Sequence, residues 1–159
     1  MSITKILMVF AVIVVIVVIA IYYSLSPTVR IVSDEPALKP LVKKPLKLKS
    51  NASIFQAEQG QYIFKSNILS REGLYSQAPA LSLAVGDEIV IHEFKTHRSN
   101  IGSGFTHLYA LGEVRKDNQQ IPFEYDLGTV DREFYTEPPT VLMTTLWQDP
   151  GDPKIELKR

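Results

Sequence analysis

The chain has 159 residues with 17 Lys+Arg against 17 Asp+Glu and no cysteine. That length allows one modest domain, and the missing thiols exclude disulfides, thiol catalysis and every zinc site built on thiolate ligands. An ordinary apolar content argues against wholesale disorder.

A five-residue tail, residues 1–5, precedes a run from Ile6 to Tyr23 that carries no charge, glycine or proline over eighteen residues. A helix of that length covers ~27 Å, close to the hydrocarbon thickness of a bilayer. Ile and Val fill eleven of the eighteen positions. In water that composition would favour a strand, but within lipid a helix satisfies its own backbone. Tyr22 and Tyr23 fall where an aromatic belt belongs. The run exceeds a signal-peptide core, and Pro27 follows the nearest small-x-small site, so an uncleaved anchor over 6–23 is expected. Its sidedness has two opposing signals. The basic residues after the span outnumber Lys5 before it, whereas a short tail with Lys5 ahead of a first apolar segment is the arrangement of a signal anchor. The second places the C-terminal region outside the cytoplasm, in a periplasmic or extracellular setting.

Residues 24–50 contain Pro27, Pro36, Pro40 and Pro45 and six basic residues against Asp34 and Glu35. Prolines at that density favour extended chain, so the segment reads as a basic linker. Residues 51–159 then carry ten Lys+Arg and fifteen Asp+Glu, a net of −5 that argues against nucleic acid as a partner.

In this region alternating apolar and polar residues predict strands at Gln61–Phe64, Glu88–Lys95, Phe105–Arg115, Ile121–Leu127, Val130–Tyr135 and Thr140–Trp147. Ser66–Ala80 could hold a short helical turn, Lys116-Asp117-Asn118 is the expected hairpin tip, and Pro122 suits an edge. The expected fold is all-β: one transmembrane helix followed by a small antiparallel barrel or sandwich of about five to seven strands.

All three histidines lie within sixteen residues, at His92, His97 and His107. His92-Glu93 followed by His97 is one residue too long for HExxH and places the histidines on different faces of either a helix or a strand. If Phe94 sits opposite Phe105, His92 falls opposite His107, close enough for two imidazoles to share a metal. A metal-dependent hydrolase using His92 and His107 is therefore one reading. A barrel sensor holding a small apolar ligand among Tyr62, Phe64, Phe105 and Tyr109 is another. The loop 95–104 has neither a P-loop lysine nor a nucleophile elbow, and the paired carboxylates Glu124/Asp126 and Asp131/Glu133 alternate as the wet face of strands would. With no complete catalytic constellation and no implied cofactor, the leading expectation is a membrane-anchored, non-catalytic module that binds another envelope protein.

Overall fold

The structure is a computed structural model, and it describes residues 3–71, 75–100, 105–116, 119–131, 144–153, 155 and 157. Among the described residues there is one apolar helix, α1 (Ile3–Leu25), followed by eight strands: β1 (Thr28–Ile31), β2 (Pro45–Lys47), β3 (Ala52–Gln56), β4 (Asn67–Arg71), β5 (Leu81–Leu83), β6 (Glu88–Arg98), β7 (Thr106–Lys116) and β8 (Gln119–Asp131). The window Leu7–Leu25 of α1 is long and apolar enough to cross a membrane or to serve as a signal sequence, and none of it is buried against the β region.

The strands form one sheet in the order β1-β6-β7-β8-β4-β3-β5, with β2 also pairing with β6. The long hairpin arms β6, β7 and β8 are antiparallel, and β4 meets β8 in parallel at Ile68 and Glu124. The sheet is strongly rolled. From β2 to β3 there are five inter-strand steps, ~24 Å if flat, yet Lys47 and Ala52 are five residues apart and can span at most ~18 Å. The link from Leu83 to Glu88 imposes the same limit on β5 and β6. Backbone hydrogen bonds across these two links, Leu48 N to Asp87 O (2.9 Å) and Gly86 N to Leu48 O (2.9 Å), hold the ends of the roll together. Among the described residues no ladder closes it into a barrel. The all-β expectation therefore holds, in the form of an open rolled sheet.

Inside the roll lie Phe94, Phe123, Ile54, Leu69, Ile89, Ile91, Leu108 and Leu127, all essentially inaccessible. Trp147 packs edge-on against Tyr125 with ring centroids 5.8 Å apart. Thr144–Trp147, expected as the end of a strand, instead enters a turn. Residues 117–118, 132–143 and 101–104, which include two of the three residues of the expected hairpin tip, most of the predicted strand 130–135 and half of the predicted strand 140–147, lie outside the described residues.

The segment 24–50 differs most from its expected form as a linker. β1 pairs with residues 95–98 of β6 and β2 with residues 88–90, while Val32 N and Lys43 N donate to the carbonyls of Phe94 (3.0 Å) and Ile91 (2.7 Å) between them. Leu38 and Leu48 are fully buried in the core. Prolines exclude helix here, as expected, but they do not exclude edge strands and a single 3-10 turn at Lys39–Leu41. Apolar residues spaced between the lysines supply the burial that holds the segment down. Two of the eight strands therefore come from residues that read as spacer.

Candidate functional site

The register of the β6–β7 hairpin determines which side chains share the outer face of the sheet. Phe94 pairs with Ala110 and His97 with His107, whereas Ile91 pairs with Gly112, so β6 carries one extra residue, His92, as a β-bulge. The core pattern shows the same break: Ile89 and Ile91 point inward, then Phe94. The expected pairing of Phe94 with Phe105 is thereby corrected. It assumed that β6 ended at Lys95, but Thr96, His97 and Arg98 continue the ladder, which moves the turn and shifts the partner strand.

The shift separates His92 from His107. His92 Nε2 lies 2.9 Å from Glu113 Oε2, and Glu113 is six residues from His107 along β7, roughly 20 Å at ~3.3 Å per residue. His107 Nδ1 lies 3.1 Å from Asp126 Oδ2, and Asp126 also accepts the amide of Gly128 at 2.7 Å. Gly128 has φ +90°, a conformation glycine adopts without strain, at the irregularity where β8 shifts against β7. No three metal-ligating side chains come together among the described residues.

Glu113 is the centre of the outer face. It is 6% exposed and receives His92 Nε2, Arg115 Nε (2.9 Å) and Nη2 (2.8 Å), and the Gln120 side-chain amide. These donors, led by Gln120 and His92, outweigh desolvation and hold its carboxyl at about 2, down from 4.5. A group whose folded value is depressed contributes stability above its unfolded value, and that contribution disappears as pH falls through the folded one. Glu113→Gln is therefore expected to remove up to one proton from the pH dependence of unfolding between about pH 4.5 and 2. Acid titration of urea midpoints measures this, and parallel curves for the two proteins would contradict the assignment.

Beside this cluster runs a groove of about 410 Å³ between β6 and the strap that crosses the outer face near Phe64 and Lys65. Its floor is Leu111 and Gly112, with Phe64 and Pro122 on one side and His92, Glu93 and Lys95 on the other. Lys95 Nζ is paired with Glu93 (2.8 Å) and lies 5.5 Å from the centre of the Phe64 ring. The strap itself is held by Glu124. This carboxylate is 4% exposed and accepts the backbone amides of Ile63 (3.0 Å), Phe64 (2.5 Å) and Lys65 (2.7 Å). Those bonds explain why Gln61–Phe64, expected as a strand, has no ladder: its donors are spent on a side chain. Likewise 67–71, within the stretch expected to hold a helical turn, is a strand, and Pro122, expected at an edge, lies in an interior strand with its carbonyl bonded to the Asn67 side chain at 2.9 Å.

The four aromatic residues expected to line an interior pocket do not enclose one. Phe64 and Tyr109 meet edge to face on the outer surface at 5.4 Å, and Phe105 is 41% exposed at the strand end. Burial, with the carboxylates of Asp126 and Glu124 nearby, raises the Tyr109 phenol well above its ordinary value, so it stays neutral. Glu113 is absent from the sequence reading, although an acid within the apolar run Tyr-Ala-Leu-Gly-Glu-Val is a visible signal for it. Glu124, expected with Asp126 on the wet face of a strand, is instead buried beneath the strap whose amides it accepts.

No family model matches the chain, and neither a curated protein nor a solved structure is detectably similar to it.

Proposed function

We propose that the chain is a single-pass membrane protein whose β domain, outside the cytoplasm, is a non-catalytic module binding another envelope protein through the outer-face groove. The supporting observation is the groove's make-up. An apolar centre of Phe64, Leu111 and Pro122 is rimmed by charges that are already paired within the chain, Lys95 with Glu93 and Glu113 with Arg115. An apolar centre with a polar rim is the anatomy of a protein interface, and internally paired charges lower the desolvation cost of covering it. Among the described residues that line the groove, none is a Ser, Thr or Cys. The free apolar surface of α1 supports the anchor, and Lys5 ahead of it supports the outward orientation.

Because the chain has no cysteine, a single one at Lys65, an exposed residue lining the groove, can carry a membrane-impermeant maleimide photocrosslinker applied to intact cells. The expected result is a discrete protein adduct from this position that disappears with Phe64→Ala and does not form from a cysteine at Val85. No labelling in intact cells would refute the orientation, and labelling without a specific adduct would refute the binding role.

A further inference from the structure

The junction between α1 and the sheet is short. At 1.5 Å per residue the apolar window Leu7–Leu25 covers ~28 Å, so Leu25 sits at the hydrocarbon boundary when α1 spans a bilayer. Ser26 continues the last turn, its amide and hydroxyl both donating to the Tyr22 carbonyl at 3.0 and 2.8 Å. After Pro27 the first strand begins, at Thr28. The neighbouring strands β6 and β7 come down to the same level. Thr28 pairs with Arg98 and Arg98 with Thr106, and beyond that row the Asn100 side-chain amide donates to the carbonyl of Ser26. Phe105, one residue beyond Thr106, is therefore level with the junction.

The headgroup region adds only ~5–7 Å per leaflet beyond the hydrocarbon, which is two residues of extended chain. This end of the sheet exposes apolar side chains that a wet surface does not require: Phe105 is 41% and Val29 45% exposed, directly after Tyr22 and Tyr23 at 70% and 73%. Aromatic residues grouped at the end of a span suit the amphipathic boundary, and the exposed Arg30 above them suits lipid phosphate.

From these levels we infer that the rim formed by Val29, Asn100 and Phe105 is a lipid-contacting surface, seated in the headgroup layer of the bilayer that α1 crosses. The domain stands on the membrane instead of reaching away from it. This rests on reading α1 as membrane-spanning, and it adds that the partner groove is held close to the membrane surface.

The test uses the full chain in nanodiscs of phosphatidylcholine and phosphatidylglycerol containing a headgroup-level nitroxide lipid. A fluorescent nitrobenzoxadiazole probe is placed on single cysteines replacing Phe105, Val29, Tyr22 and Val85. Val85 lies in the turn before β6, one strand length or ~33 Å from the rim. Interfacial side chains lie ~5–10 Å into the headgroup and acyl boundary, so the Phe105 and Val29 probes should be blue-shifted and quenched about twofold. The Val85 probe should be unaffected. Val29→Cys keeps the test decisive if Phe105→Cys disturbs the strand end. Solvent-like emission from both rim probes, with Tyr22 quenched, would overturn the inference while leaving the anchor intact. Tyr22 unquenched would remove the anchor and the inference together, and Val85 quenched equally would show contact that is not specific to the rim.

Discussion

Gly112→Ala is expected to destabilise the β domain by more than ~3 kcal/mol, a large share of the ~5–15 kcal/mol available to a domain. A β-carbon there would lie 2.4 Å from the Val90 carbonyl oxygen, 2.9 Å from the tip of the Phe123 ring and 3.2 Å from the Ile91 α-carbon. The ring can swing aside, but the other two atoms are backbone on the neighbouring strand, so β6 and β7 must part where the bulge already weakens their ladder. Urea unfolding followed by near-ultraviolet circular dichroism measures the effect. Gly151→Ala, with no atom within 4 Å of the added carbon, is the control and should stay within ~0.5 kcal/mol of the parent. Adding Phe123→Leu to Gly112→Ala should not restore stability, because the carbonyl remains in place. Equal midpoints for Gly112→Ala and the control would show that the strands approach less closely than described.

Glu124→Ala has the second large effect, a loss of about 2–4 kcal/mol. It removes a buried carboxylate that receives three successive backbone amides, each bond strengthened by the charge. The strap has no other ladder at Ile63, Phe64 and Lys65, so its local protection should fall much more than that of β6–β8. Hydrogen exchange resolved by residue provides the check. Those three amides should exchange faster by orders of magnitude in Glu124→Ala and by less in Glu124→Gln, whose side-chain oxygen still accepts. If they exchange as in the parent, the carboxylate does not hold the strap. Phe64 and Lys65 form one wall of the groove, so the same substitution should also abolish the crosslink from position 65.

Legibility in the sequence followed the range over which each feature is determined. The apolar run of α1 and the alternation in β6, β7 and β8 are local, and each lies close to its expected place. Register is not local. The polar stretch Lys95-Thr96-His97-Arg98 resembles a loop by composition, yet it pairs on both sides, with β1 and with β7. The bulge at His92 can be recognised only when both strands are known, because it appears as a mismatch between them. The same holds for Gln61–Phe64, whose strand-like residues gave up their ladder to Glu124, sixty residues away. Leu38 and Leu48 carried a readable hint, apolar residues recurring among prolines and lysines, but their burial depends on β6, which begins fifty residues after the first and forty after the second.

The way residues 28–48 cover β6 determines where the molecule can be cut. A soluble fragment beginning at Asn51, the point suggested by composition, would lack two strands, bare the whole outer edge of β6 and leave vacancies at Leu38 and Leu48. Such an open edge invites pairing between molecules, so that fragment should aggregate. The usable boundary lies between Leu25 and Thr28, and the membrane helix and the sheet are thus adjoining parts with almost no chain to spare between them.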